Sequence, residues 1–164
     1  MKFLALLVMA FALNTEATIY NSKAIVHPEV GKNGMVVSQH YLATNAGHSI
    51  LAEGGNAYDA SIAVAFALAV DLPRAGNIGG GGFMVMFDEA SQESYSIDYR
   101  EIAPEAATKN MFLASDGSVD KKRATQGVLS IGVPGTVYGM WEVHKKFGSL
   151  PWSTLLAPAI ELAE

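Results

Sequence analysis

The fold turns on residues 56–100, NAYDASIAVAFALAVDLPRAGNIGGGGFMVMFDEASQESYSIDYR. Asn56 can accept a backbone N–H as a helix N-cap, and Asp59 stands at the third helical position, where a capping-box carboxylate belongs. From Ala57 to Val70 the residues are apolar on nearly every side. That pattern marks a buried helix, and its alanines let neighbouring elements approach closely. Asp59 is therefore read as a helix cap rather than a catalytic carboxylate. Leu72-Pro73 stops the helix, and Arg74–Gly82 is a glycine-rich loop. The runs Phe83–Phe87 and Tyr95–Tyr99, separated by a turn over Asp88–Glu93, make a β-hairpin whose first strand is expected to be buried.

On the N-terminal side, Gly34–Ser38 reads as a short buried strand and Leu42–Glu53 as a helix ended by Gly54-Gly55. Further upstream, Lys2 precedes the apolar run Phe3–Leu13, which is too short to span a bilayer. It reads as a secretory signal peptide over 1–17 rather than a buried helix, and 18–33 as a polar leader arm. The mature chain is then expected to be secreted or periplasmic, without a membrane span. On the C-terminal side, residues 103–126 are polar and loop-rich. Gly132-Val-Pro-Gly135 is a tight turn feeding a helix over Thr136–Phe147, which Gly148 closes. Pro151 opens a last helical pattern, with Pro158 as a candidate kink, still running at Glu164. The pattern has no cap there, so the expectation is the front of a longer protein.

Composition removes several functions. Half of the 164 residues are apolar and 16% are charged, against about 25% charged in ordinary soluble domains, which excludes disorder. Eleven basic residues are outnumbered by 16 acidic ones and cluster only at Lys121-Lys122-Arg123, so no nucleic-acid partner is expected. With no cysteine, disulfides, thiolate zinc sites and a cysteine nucleophile are excluded. His27, His40, His48 and His144 show no metal spacing, and neither a metal nor a cofactor is expected.

The loop Ala75–Phe83 lacks the Gly-Lys-Ser/Thr of a Walker loop, and it runs from helix to strand, opposite to a dinucleotide-binding turn. Its glycines are read as backbone closely packed on backbone, with direct ligand contact as the other possibility. Ser130 does not sit in a Gly-x-Ser-x-Gly elbow, and no Ser/His/Asp set is defensible. Arg100, flanked by Asp98 and Glu101 at the strand end, is expected to be held rather than free in solvent. Its planar fork suits a carboxylate ligand, but on the residues alone an internal salt bridge takes precedence.

Four stretches change that order. Glu53-Gly-Gly-Asn-Ala-Tyr-Asp-Ala60, Ala75-Gly-Asn-Ile-Gly-Gly-Gly-Gly-Phe83, Ile97-Asp-Tyr-Arg-Glu-Ile-Ala-Pro104 and Gly132-Val-Pro-Gly-Thr136 resemble, in order and spacing, the start of the large subunit of γ-glutamyltranspeptidases. The likeness runs from about Gly34 to Glu164. It implies an α+β fold of the N-terminal nucleophile hydrolase type, an αββα sandwich of which this chain is the N-terminal portion. It also implies a self-cleaving precursor and a threonine nucleophile at the start of the small subunit. That threonine would take the γ-glutamyl group of glutathione or another γ-glutamyl compound and pass it to water, an amino acid or a dipeptide. None of this chain's threonines matches that nucleophile, so no catalytic residue is assigned and the chain alone is expected to be inactive. By the match at Asp98-Tyr-Arg-Glu101, Arg100 is implied to bind the substrate's α-carboxylate. Tyr99 stands where phenylalanine is frequent in the family. Two other readings stand beside this one: a related amidohydrolase or acylase of the same precursor fold, and an inactive fragment that captures carboxylates.

Overall fold

The computed structural model describes residues 29–164. The signal segment over 1–17 and most of the arm over 18–33 lie outside the described residues. The unit Lys32–Glu164 is built around two packed helices, α1 (Tyr41–Ala52) and α2 (Ala57–Asp71). After Ala57, every residue of α2 is buried or half-buried, as its all-round apolar sequence requires. Small residues let the two helices close on each other: a Cβ on Gly47 of α1 would stand 2.6 Å from Val64 Cγ2 and 3.3 Å from the Ala60 carbonyl oxygen. Ile50, Ile62 and Phe66 are buried in the core that these helices help to form, each burial worth about 1.5–3 kcal/mol. Gly54, at φ 91, ends α1 in the left-handed region, as the glycine pair predicts.

The hairpin is β1 (Phe83–Asp88) against β2 (Glu93–Asp98), antiparallel, with Met84 opposite Ile97 and Met86 opposite Tyr95. These four residues face the helices, where the Tyr95 ring lies 5.0 Å from that of Phe147. The expectation of a buried first strand needs correction, because Phe83, Val85 and Phe87 face outward and are 65%, 82% and 55% exposed. Strand side chains alternate between faces, and the helical layer covers only one of them. Gly34–Ser38 is also corrected: it runs without strand pairing, and Met35 and Val37 are exposed. An extended segment becomes a strand only when a partner takes its backbone bonds, and none does among the described residues. Of its larger apolar side chains Val36 packs inward, against Gly47.

Beyond the hairpin, residues 103–120 form turns and an isolated Leu113–Val119 bridge. A short helix follows, α3 (Lys121–Gln126), capped by Asp120 accepting from the Arg123 amide at 3.0 Å. At six residues it is too brief to show periodicity, so the sequence reads as loop. Helices α4 (Thr136–Phe147) and α5 (Trp152–Ala163) then pack on α2. Both match their expected spans, and Pro158 lies inside α5. No helix among the described residues is long and apolar enough to cross a membrane.

The Asn56–Asp59 capping box forms as predicted. Asp59 N donates to Asn56 Oδ1 at 2.9 Å, and Asn56 N donates to Asp59 Oδ2 at 3.0 Å. The carboxylate of Asp59 is fully buried and does more than cap. It also accepts from the amide of Ser149, at 3.1 Å, and from its hydroxyl, while Asn56 Nδ2 donates to the Phe147 carbonyl at 2.7 Å. The start of α2 is thereby tied to the turn between α4 and α5.

Candidate functional site

Two glycine-bearing segments converge on the end of β2. The Tyr99 amide donates to Gly82 O at 2.9 Å, continuing the hairpin ladder by one bond. Ile102 and Val133 exchange backbone bonds at 3.2 and 2.8 Å, which brings the Gly132–Gly135 turn alongside. That turn is fastened to the glycine loop, since the amides of Gly135 and Thr136 both donate to Gly80 O, at 2.9 and 3.1 Å. The close packing leaves no space for side chains. A Cβ on Gly81 would stand 2.5 Å from the Tyr99 carbonyl oxygen and 2.8 Å from Arg100 Cα, and one on Gly135 would overlap the Tyr99 carbonyl. Gly81 of the loop therefore serves backbone approach, as expected, while Gly82 faces the Tyr99 ring.

Arg100 emerges from this clamp. Its amide donates to Asp98 Oδ1 at 2.9 Å, and its Nε donates to Glu101 Oε2 at 3.1 Å. The guanidinium lies 5.9 Å from the centre of the Phe83 ring. The expectation that Arg100 is held is right for the backbone and wrong for the head group, which is 61% exposed. Glu101 supplies the internal ion pair; Asp98 turns instead to the backbone. Neither terminal guanidinium nitrogen has a hydrogen-bond partner among the described residues, so the fork keeps donors for a planar anion. The Glu101 carboxyl is held below its ordinary value, first by its own backbone amide and then, against some desolvation, by Arg100. Burial pushes the Tyr99 hydroxyl above its ordinary value.

Beside the clamp lies a cavity of about 330 Å³, lined among others by Leu68 of α2, Asn77, Gly80, Tyr99, Glu101 and Thr136. The stretches 75–83, 97–104 and 132–136 thus meet in one place. The fourth, 53–60, does not: Asp59 sits near the other end of α2, enclosed in its own hydrogen bonds. Sequence reasoning left Asn77 and Thr136 without a role and missed Gly139, inside α4 behind Tyr99. The one available signal was a glycine interrupting a helical pattern.

The arrangement can bind an anion but holds no reaction centre of its own. Among the described residues no serine or threonine hydroxyl is hydrogen-bonded to a histidine ring. His40 pairs through Nδ1 with Asp71 at 3.2 Å, and His144 meets the Leu150 carbonyl through Nε2 at 2.9 Å. No cluster of three metal-ligating side chains occurs among the described residues.

Comparison with known proteins bears on this geometry. The family model described as gamma-glutamyltranspeptidase matches residues 43–164. A glutathione hydrolase proenzyme of Pseudomonas aeruginosa is 50% identical over 131 residues, covering 80% of this chain and 23% of that protein. The crystal structure of Helicobacter pylori gamma-glutamyltranspeptidase is 51% identical with a TM-score of 0.78, over 84% of this chain and 39% of that one. The gamma-glutamyltranspeptidase of Pseudomonas nitroreducens, solved in complex with L-DON, is 48% identical with a TM-score of 0.76, over 82% of this chain and 40% of that one. The chain spans about a quarter of the length of the curated relatives it matches.

Proposed function

This chain belongs to the γ-glutamyltranspeptidase family, and from that premise we propose that it supplies the substrate-carboxylate site of a glutathione hydrolase. Its fold is that of the N-terminal nucleophile hydrolases, to whose αββα sandwich it contributes the hairpin and the helices on one side. In the full precursor, exported to the periplasm or cell exterior after loss of residues 1–17, self-cleavage frees the threonine of a small subunit. Arg100 takes the α-carboxylate of glutathione or another γ-glutamyl compound and so fixes the γ-amide in front of that threonine. The threonine hydroxyl attacks the γ-amide carbonyl and the amine half of the substrate leaves, giving a γ-glutamyl ester; water, an amino acid or a dipeptide then takes the acyl group and frees the hydroxyl.

One observation supports this role for Arg100 above the others. Its backbone is clamped by two segments, 75–83 and 132–136, while its two terminal nitrogens stay unpaired among the described residues, an arrangement with no use in a purely internal salt bridge. A fixed fork of that kind offers a planar carboxylate two charge-assisted bonds at once. The test is Arg100→Lys in the full precursor. A lysine point charge replaces a two-pronged clamp, and bonds to charged groups are worth about 1.5–3 kcal/mol each. kcat/KM on a γ-glutamyl substrate should then fall about ten- to a hundredfold with self-cleavage intact. On an analogue lacking the α-carboxylate, wild type and variant should be equally poor. A precursor that fails to mature would make Arg100 a structural ion-pair residue, and unchanged kinetics would remove it from the site.

A further inference from the structure

Gly139 lies in the interior of α4, where glycine loses more backbone freedom on folding than any other residue. It is buried, and a Cβ there would overlap the Cβ of Tyr99 and stand 2.8 Å from its Cδ1. On the other side, a Cβ on Gly82 would stand 3.1 Å from the Tyr99 ring. The ring therefore occupies a notch cut by two glycines on separate elements, directly ahead of Arg100 in the chain. The Tyr99–Arg100 peptide is packed against Gly81 and Gly135, and the Tyr99 amide is bonded to Gly82 O, so the ring is the remaining degree of freedom at this point of the clamp.

We propose that Gly82, Gly139 and the Tyr99 ring form a positioning device that sets the direction in which Arg100 leaves the sheet, and hence affinity for the substrate's α-carboxylate. This rests on the assignment of Arg100 as the carboxylate-binding residue. The ring matters through its shape, not through its hydroxyl, which has no hydrogen-bond partner among the described residues. A side chain at position 139 pushes the ring out, tilts the strand end and moves the guanidinium by a fraction of an ångström to an ångström. Displacement on that scale is costly for a two-pronged clamp. The α-carboxylate takes no part in the bonds that change, so the loss should fall on substrate binding and not on chemistry.

The experiment uses the full precursor and compares Gly139→Ala, Tyr99→Leu, Tyr99→Phe and Arg100→Lys on a γ-glutamyl anilide and on the same anilide lacking the α-carboxylate. Gly139→Ala and Tyr99→Leu should each raise KM for the carboxylate-bearing substrate on the order of tenfold, with kcat changed by no more than about twofold. Neither should alter the slow turnover of the truncated substrate. Tyr99→Phe should behave as wild type. The double variant Gly139→Ala/Tyr99→Leu should be no worse than the worse single variant, because the two residues act on one contact. If Gly139→Ala does not mature, Tyr99→Leu decides alone. A KM unchanged by Tyr99→Leu, or an equal loss on both substrates, overturns the proposal, as does a loss in Tyr99→Phe matching that in Tyr99→Leu. If Arg100→Lys itself leaves KM unchanged, the carboxylate assignment has failed. If Arg100→Lys raises KM while Tyr99→Leu does not, only the positioning role has failed.

Discussion

At the start of α2 a carboxylate is sealed inside the protein, and at the end of β2 a guanidinium is left open. Asp59 is fully buried and meets the amide of Asn56 with both the amide and hydroxyl of Ser149. Among the described residues Arg100 has one side-chain partner, Glu101, and its head group is 61% exposed. Both are ionisable side chains at an element boundary in a stretch shared with the same family. The difference is how much of their hydrogen-bonding capacity the fold has already used. A charge whose partners are all internal has been committed to stability, because burying it is tolerable only when it is bonded. A charge on a fixed backbone with donors to spare has been reserved for something outside.

The largest effect expected from this contrast is at Asp59. Asp59→Ala leaves the amides of Asn56 and Ser149 without their carboxylate partner and removes the bond from the Ser149 hydroxyl. Bonds to charged groups are worth about 1.5–3 kcal/mol, so the full precursor should lose roughly 3 kcal/mol or more in urea unfolding. Whatever fraction matures should keep its KM for γ-glutamyl substrates. A loss below about 1 kcal/mol would mean the buried carboxylate is not holding the α2 start to the α4–α5 turn. A raised KM in the matured fraction would place Asp59 in the site and dissolve the contrast.

The same pair shows where sequence reading works and where it stops. The capping box was legible because Asn56 and Asp59 are three residues apart on one helix turn, and that geometry is local. Ser149 was not, because the contact joins chain positions 90 residues apart. The helices at 136–147 and 151–164 were legible from their bounding glycines and proline. The exposed heads of Arg100 and of Phe83, Val85 and Phe87 were not, since an alternating or apolar strand does not say how many of its faces are covered. Gly34–Ser38 failed as a strand for a related reason: β-structure belongs to a pair of segments, and one segment's composition cannot name its partner. At the site, the glycines announced a close approach of backbones, but only the fold identified Tyr99 and Arg100 as what they approach.

A smaller effect tests the other open surface of the hairpin. The outer face presents Phe83, Val85 and Phe87 along one strand, a row of apolar side chains that self-association would cover. Residues 29–164 expressed alone should associate at micromolar concentration, and Val85→Lys should shift the equilibrium toward monomer. Burying a valine is worth about 1.5 kcal/mol, so the association constant should fall roughly tenfold in sedimentation equilibrium. Lysine at a face already in water costs the monomer little. If Val85→Lys leaves association unchanged, the outer face is not the sticking surface, and Gly34–Ser38, with its unpaired backbone, becomes the segment to alter.

The smallest effect separates exposure from saturation, which Asp59 and Arg100 vary together. Asp88, at the turn end of β1, is half-exposed yet well supplied: it accepts from the Ser91 hydroxyl at 2.7 Å, the Ser91 amide at 3.0 Å and, more distantly, Tyr58. The Ser91 hydroxyl first, and the Ser91 amide next, hold its carboxyl below the ordinary value despite some desolvation. A value lower in the folded than in the unfolded chain means that the ionised form is favoured by folding. Its contribution is complete above the unfolded value and is lost as pH falls through the folded one. Asp88→Asn keeps an acceptor oxygen facing Ser91, so at neutral pH the thermal midpoint should drop by only about a degree. That gap should close as pH falls below the usual carboxylate range, where wild type is also neutral at this position. KM should not move at any pH. A gap that persists unchanged into acid would assign the loss to shape instead of charge. A shift in KM would show that a half-exposed charge can serve the substrate even when its bonds are filled, and saturation would no longer distinguish Asp59 from Arg100.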